Sequence, residues 1–281
     1  MSQVVIKHSQ IIKSNKTEST DRDSNGVAIF LKKFGITCTK ICVYTSKLMK
    51  KISKKLYNFR CSLIKLYSGT TQFFSWFVFW PTYNLLFKVE IHGRENLRGL
   101  TGPLIMISNH ARFYDSFLYR IIVGLFSRLV PMRFMAVVKF NDPFLNFVKK
   151  TGVIHFIYSL FGVFVVEQGL GLNKNLKRAK DILKNNGVVA MFPEGRLNRS
   201  GEIAMFRRGV SALALSNHTK VLPMHIKITE GSMHKFQRGS IVVNIGKAHY
   251  LATHSTYEEL AEELRQKVVK LAKGGHYENT K

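Results

Sequence analysis

Acidic residues are scarce in this chain: 17 Asp and Glu stand against 43 Lys and Arg, a formal net charge of +26 over 281 residues. So lopsided a balance requires an anionic partner or surface, and nucleic acid, anionic lipid and an acidic carrier protein all satisfy it. Cysteine is scarcer still. Cys38, Cys42 and Cys61 are too few, and too concentrated toward the N-terminal side, for a disulfide framework. Cys38 and Cys42 lie one helical turn apart, but no His or third Cys nearby completes a zinc site. His155, His218, His225, His234 and His249 lack ligand spacing and read as structural or solvated. Gly169-Leu170-Gly171 lacks the third glycine and the strand–turn–helix setting of a dinucleotide loop. Met1 to Asn25 holds no apolar core followed by a small-residue cleavage site, which predicts no secretory signal. Internal repeats are also missing.

Hydrophobic residues make up 46% of the chain, enough for a substantial core, which excludes a wholly disordered protein. The opening residues, 1–26, end in the polar, aperiodic stretch KSNKTESTDRDSNG and read as a disordered tail. From Val27 to Leu66 apolar residues recur at helical spacing, among them Ile41, Leu48, Ile52, Leu56, Phe59 and Leu63, with lysines filling the gaps. That pattern predicts a basic amphipathic helix lying on an anionic membrane. The same pattern would also suit a helix packed on the protein's own core. Leu66 to Phe87 then carries no charge and centres on FFSWFVFW. It just reaches the length of a bilayer span. Ser68, Gly69, Thr70, Thr71 and Gln72 dilute one end, however, and Pro81 interrupts the other. Trp and Tyr also prefer the headgroup level. The segment is therefore predicted to lie in the interface, or half-inserted, rather than to span. Residues 27–87 thus form one membrane-associated region.

From Lys88 the pattern changes to short apolar runs alternating with helical periods. Strands are predicted at Lys88–His92, Leu104–Ser108, Phe134–Val138, Val163–Val166, Val188–Phe192, Val221–Ile226 and Ile241–Ile245. Helices are predicted over 114–128, 143–160, 174–185 and 207–217. The third has Asn173 as its cap, Leu176, Ala179, Ile182 and Leu183 as its buried stripe, and Gly187 at its end. Ser255-Thr256-Tyr257-Glu258 reads as a capping box opening a last amphipathic helix to about Lys273. Such alternation indicates an α/β domain. The organisation is then a main domain over 88–251, a C-terminal helix over 252–273 and a short tail over 274–281.

Two segments carry chemistry. In Asn109-His110-Ala111-Arg112-Phe113-Tyr114-Asp115, the His and Asp are five positions apart, out of phase in a continuous helix at 3.6 residues per turn. They meet only if His110 lies in the turn after LIMIS and Asp115 opens the next helix. Ser108 and Asn109 are turn formers that suit this placement. The carboxylate would then hold Nδ1 and leave Nε2 as a general base, and an acceptor's own hydroxyl could serve as nucleophile. In Phe192-Pro193-Glu194-Gly195-Arg196, an apolar run delivers a carboxylate to a strand end, where ligands bind in open α/β sheets. Gly195 permits close backbone approach and Arg196 offers a fork for a phosphate or carbonyl oxygen. Arg196, Arg199, Arg207 and Arg208 suggest an anion site.

In this order, the two segments resemble the first and third motifs of the glycerolipid acyltransferases, the family of 1-acylglycerol-3-phosphate acyltransferase. Val221-Leu222-Pro223-Met224 is similar to the fourth motif, whose proline is thought to border the acyl site. The resemblance covers roughly Val89 to Tyr250. It implies a single acyltransferase domain, a mixed sheet flanked by helices, moving a fatty acyl group from acyl-CoA or acyl carrier protein to a lysolipid hydroxyl. His110 and Asp115 would be catalytic. Asn109, Gln168, Glu194, Gly195, Arg196, Arg199, Arg207, Arg208 and Pro223 would bind substrate. No metal or bound cofactor is expected, and the co-substrate is the acyl thioester. Membrane phospholipids and the lysolipid are the expected partners, with the site facing the cytoplasm. One departure stands out. Where the family's second motif has an arginine for the acceptor's phosphate, Gly162-Val163-Phe164-Val165-Val166-Glu167-Gln168 has glutamine, which cannot neutralise a dianion. Two other readings remain. A basic nucleic-acid-binding module fits the charge but not the aromatic segment or the lack of a nucleic-acid motif. A non-catalytic membrane scaffold does not fit the presence of His110, Asp115 and Glu194 together.

Overall fold

The computed structural model describes residues 38–112, 115–136, 153–166, 171–198, 200–231 and 238–274. The tail over 1–26, residues 27–37 of the basic helical pattern and residues 143–152 of a predicted helix lie outside these, as do Gln168 and Arg199. The chain divides into two units, Met1–Cys61 and Ser62–Lys281. In the first, the opening of helix α1 (Cys38–Leu86) exposes Leu48, Met49, Ile52, Leu56 and Phe59.

The rest of α1 belongs to the second unit, where its polarity is the reverse of a simple amphipathic reading. Ser68, Gln72 and Tyr83 are buried, while Leu66, Phe74, Phe77, Val78, Trp80 and Leu85 are exposed. Gln72 explains the inversion. Its amide donates to the carbonyls of Met132 (2.7 Å) and Phe161 (3.0 Å) and accepts from the Met132 N–H (3.0 Å). Arg120 donates to the Gln72 carbonyl, and Arg133 to the Ser68 hydroxyl. Two of the polar residues that dilute one end of the segment, Ser68 and Gln72, are therefore those that dock it. Pro81 does not interrupt the helix. Side chains serve neighbouring carbonyls around it, Thr82 donating to Val78 and Asn84 to Trp80. Among the described residues no helix is long and apolar enough to cross a membrane.

Seven strands follow: β1 (Phe87–His92), β2 (Leu104–Ser108), β3 (Met132–Ala136), β4 (Val163–Val165), β5 (Val188–Met191), β6 (Lys220–Thr229) and β7 (Gly239–Ile245). They form one mixed sheet in the order β1-β7-β6-β2-β5-β3-β4, parallel throughout except for the β6–β7 pair. β2 and β5 lie at its centre and are buried at every position, as continuous apolar runs in a parallel sheet require. Strand β6 runs longer than its apolar stretch predicts. Beyond the end of β2, marked by the Ser108–Met224 pairing, its last residues are still paired with β7.

Helices α2 (Asp115–Val123), α3 (Val153–Leu160), α4 (Leu172–Lys184), α5 (Gly209–Ser216) and α6 (Tyr257–Ala272) complete the described elements. One face of the sheet packs Leu104, Met106 and Ala190 against Leu118, Tyr119 and Ile122 of α2 and Tyr83 of α1. The other packs Ile105, Ile107 and Val189 against Leu176 of α4, Leu213 of α5 and Leu264 of α6. Helix starts and ends shift in α2, α4 and α6 for identifiable reasons. α2 stops at Val123 because Gly124 turns left-handed (φ 82°) and Arg120 donates to its carbonyl. α4 begins at Leu172 after Gly171, with no capping side chain, so Asn173 sits inside the first turn. Its far end is closed by Asn186 at φ 54°, with Asn186 N–H bound to the Leu183 carbonyl and Gly187 N–H to that of Ile182. The capping box of α6 is Thr256 with Glu259, one residue later than Ser255 with Glu258. Both registers satisfy the same S/T-x-x-E spacing.

Candidate active site

The connection from β2 leaves through α2 on one face toward β3, whereas the connection from β5 leaves through α5 on the other face and crosses to β6. A crevice opens at the carboxyl ends of neighbouring strands whose connections diverge in this way. The two chemistry-bearing segments fall there, one after each strand.

His110 lies in the turn after β2, and Asp115 is the first residue of α2. Nδ1 of the imidazole is 3.2 Å from Oδ2 of Asp115, whose carboxylate is fully buried. The same oxygen accepts the backbone N–H groups of Ala111 (2.7 Å) and Arg112 (2.8 Å). With three donors converging on one oxygen, the carboxylate is fixed before any substrate arrives. Because the ionised carboxylate only accepts, the proton between the two groups belongs to Nδ1, and Nε2 carries the free lone pair. Phe192 holds the ring's other dimension, stacking on it at 3.9 Å with the planes 10° apart. Tyr119 buttresses Phe192 edge-on and donates its hydroxyl to Ser108. The sequence reading assigned no role to Phe192 or Tyr119. An aromatic directly before Pro193-Glu194 was the visible signal for the first, whereas nothing in the helical pattern marked the second.

Glu194 is buried and acts on the backbone. Oε1 accepts the His110 N–H (3.0 Å) and Oε2 the Ala204 N–H (3.4 Å), so one carboxylate joins the histidine turn to the loop that follows β5. Burial raises its pKa, while those backbone hydrogen bonds pull it back down. Asn198 N–H donates to the His110 carbonyl at 2.8 Å, closing the same junction. Gly195, at φ 67°, lies where a Cβ would strike the Arg207 side chain.

The remaining candidates spread out. Asn109 spans to β6, donating to the Ile226 carbonyl (2.9 Å) and accepting the Ile226 N–H (2.8 Å), which makes it a fastener of the turn. Pro223 is buried opposite Ile107, where its carbonyl accepts from Gly246 at the end of the β6–β7 ladder. Arg207 donates to the Glu194 carbonyl (3.4 Å), and Arg208 forms an exposed ion pair with Glu258 (3.1 Å). Arg196 is exposed in the loop after Glu194. Arg199 and Gln168 lie outside the described residues. The structure thus gathers His110, Asp115, Glu194, Gly195 and Arg207 around one turn, turns Asn109 toward β6 and Arg208 toward α6, and leaves Arg196 at the rim.

A half-buried imidazole on a fully buried carboxylate, at the switch point of a mixed α/β sheet, is an arrangement that can accept a proton at Nε2. Residues 88–227 match the family model described as Acyltransferase, and the chain belongs to that family. It is similar to the chloroplastic 1-acyl-sn-glycerol-3-phosphate acyltransferase LPAT1 of Arabidopsis thaliana, with 25% identity over 196 residues, covering 65% of this chain and 48% of that one. The 1-acyl-sn-glycerol-3-phosphate acyltransferase of Borreliella burgdorferi is 23% identical over 199 residues, covering 65% and 71%. The chain spans about half the length of the first curated relatives it matches. Among solved structures it is similar to the 1-acyl-sn-glycerophosphate (LPA) acyltransferase PlsC of Thermotoga maritima, at 19% identity and a TM-score of 0.48, covering 89% of this chain and 94% of that one.

Proposed function

We propose that the protein is an O-acyltransferase that moves a fatty acyl group from acyl-CoA or acyl carrier protein to the hydroxyl of a lysophospholipid, with 1-acylglycerol-3-phosphate as the first candidate acceptor. The observation that carries this reading is the His110 Nδ1–Asp115 Oδ2 contact, held by Ala111 and Arg112 N–H groups at the carboxyl end of β2. In the proposed step, Nε2 of His110 takes the proton of the acceptor hydroxyl as its oxygen attacks the thioester carbonyl. Asp115 stabilises the imidazolium that forms. The tetrahedral oxyanion is met by backbone amides or by Arg196. Collapse of the intermediate expels the thiolate, and the imidazolium returns the proton to it. The exchange needs no metal or bound redox group.

Acceptor choice rests on charge. A phosphate monoester carries close to two negative charges at neutral pH, and Gln168 offers it only neutral hydrogen bonds. A diester lysolipid is the second reading, favoured by that residue alone. Arg196 and Arg207 favour the monoester. A competition assay with both acceptors and labelled acyl donor separates them. If Gln168 sets the preference, Gln168→Arg should shift specificity toward 1-acylglycerol-3-phosphate by roughly ten- to a hundred-fold, the worth of one charge-assisted hydrogen bond. An unchanged ratio would assign the phosphate to the arginines. No acyl transfer to any lysolipid would remove the proposed activity.

The exposed side of α1 supports membrane attachment. Phe74, Phe77 and Trp80 are exposed to solvent on α1, whereas Gln72 is buried against the sheet. Deleting the segment would strip the sheet of Gln72, so surface substitution is the cleaner test. Serine at all three positions should reduce flotation with anionic liposomes roughly tenfold or more, given about 1.5–3 kcal/mol for each fully buried large apolar side chain. Undiminished flotation would place the membrane contact elsewhere.

A further inference from the structure

A second cavity, of about 690 Å³, lies over β6, β7 and β1, on the side of β2 away from β5. Its volume is within the range of small-molecule sites and far exceeds a single ion. Lys227, Lys247 and Lys273 line it against one lining carboxylate, Glu95. Its walls are pinned rather than loose. Asn244 donates to the Leu271 carbonyl, fixing the last turn of α6 to β7, and Asn96 donates to the Ile245 carbonyl, fixing the turn after β1. Gly93 lies so close to Ile245 that a Cβ would strike its carbonyl oxygen.

His225 enters the same cavity from β6. The residue is 8% exposed, and its Nδ1 is sealed without a hydrogen-bond partner. A buried N–H donor lacking an acceptor is rarer and costlier than an idle lone pair. The ring proton therefore sits on Nε2, the nitrogen left to face the cavity. Burial, reinforced by Lys227, holds the ring's pKa down to about 4, so it is a neutral donor at physiological pH. At the adjacent α6 terminus the Val269 carbonyl accepts from Lys273 N–H, and the Leu271 carbonyl accepts from Asn244 and Gly274.

We propose that this cavity is a second binding site, separate from the His110 crevice, that takes the phosphate group of a phosphate ester. Point-charge ammonium groups arriving from separate elements, with one imidazole N–H, suit a tetrahedral anion with several oxygens better than they suit a planar carboxylate, which favours an arginine fork. The phosphate could belong to a soluble nucleotide-like molecule or to a lipid headgroup, since both present the same chemistry.

The test uses the full chain in detergent, titrated calorimetrically with inorganic pyrophosphate. Saturable binding is expected, weakened about tenfold or more in Lys227→Gln/Lys273→Gln, the scale of a lost charge-assisted contact. Lys174→Gln/Lys177→Gln on α4 removes the same charge elsewhere and should leave binding unchanged, as should His110→Ala. Equal losses in the two lysine pairs, or no saturable binding, would overturn the site. Displacement of pyrophosphate by desulfo-coenzyme A identifies a soluble source, and displacement by dihexanoyl phosphatidic acid a headgroup. Displacement by neither would also overturn it. Because the readout is binding, it stands apart from whether the chain transfers acyl groups.

Discussion

His110→Ala is expected to lower acyl-transfer turnover about 100- to 10,000-fold, the usual contribution of a positioned general base, with little change in acceptor KM. The ring's polar partner in the fold is Asp115, and its face packs on Phe192. The turn itself is held through the backbone, by Glu194 on the His110 N–H and Asn198 on its carbonyl, and both survive the substitution. The variant should therefore stay folded by circular dichroism while losing activity. Asp115→Asn should also be costly. An amide can still accept at the Oδ2 position, but it cannot stabilise the imidazolium, and its nitrogen would take the Oδ1 position, which has no hydrogen-bond partner among the described residues. A folded His110→Ala protein that retains near wild-type turnover would eliminate His110 as the base.

The second large effect is on stability. Gln72 is 3% exposed and makes three hydrogen bonds to the backbone at β3 and Phe161. Gln72→Leu keeps the volume but strands the Met132 N–H and two carbonyls in an apolar interior. At about 1–3 kcal/mol for each unsatisfied group, the loss should reach about 3–5 kcal/mol. For a domain of this size that is roughly 10 °C in Tm. Gly162→Ala should act in the same direction, since a Cβ there would meet both the Met132 carbonyl and the Gln72 amide. A Tm change below about 2 °C for Gln72→Leu would mean that α1 is docked by its apolar contacts alone.

Local features were legible in the sequence where local chemistry decides them. LIMIS became β2 without a shift, because an unbroken apolar run between turn formers leaves little choice. The His110–Asp115 meeting followed from helix phase: the five-residue separation works only across a turn. The strand order was not legible, since it depends on pairings between residues more than a hundred positions apart, such as Ile107 with Pro223. Without that order the switch point, and hence the adjacency of His110 and Glu194, rested on motif resemblance. Polarity misled in one place. Ser68 and Gln72 read as diluting an apolar segment, yet both face inward, Gln72 because the β3 backbone needs partners and Ser68 as a partner of the Arg133 side chain. His225, which lacks ligand spacing and reads as structural or solvated, is buried on the wall of a cavity whose other walls come from β1, β7 and α6, in keeping with the first of those alternatives.

The junction between the two loops is made almost wholly by main chain. His110 and Ala204 give their N–H groups to Glu194, Asn198 gives its own to the His110 carbonyl, and Arg207 N–H binds the Pro193 carbonyl. Apart from Glu194, no side-chain identity is needed to keep these ties. The loop can therefore exchange the residues at 196 and 208 over evolutionary time, or in a library, while the His110–Asp115 geometry beside it is inherited intact. A lineage could try new side chains at the rim without disturbing the histidine turn.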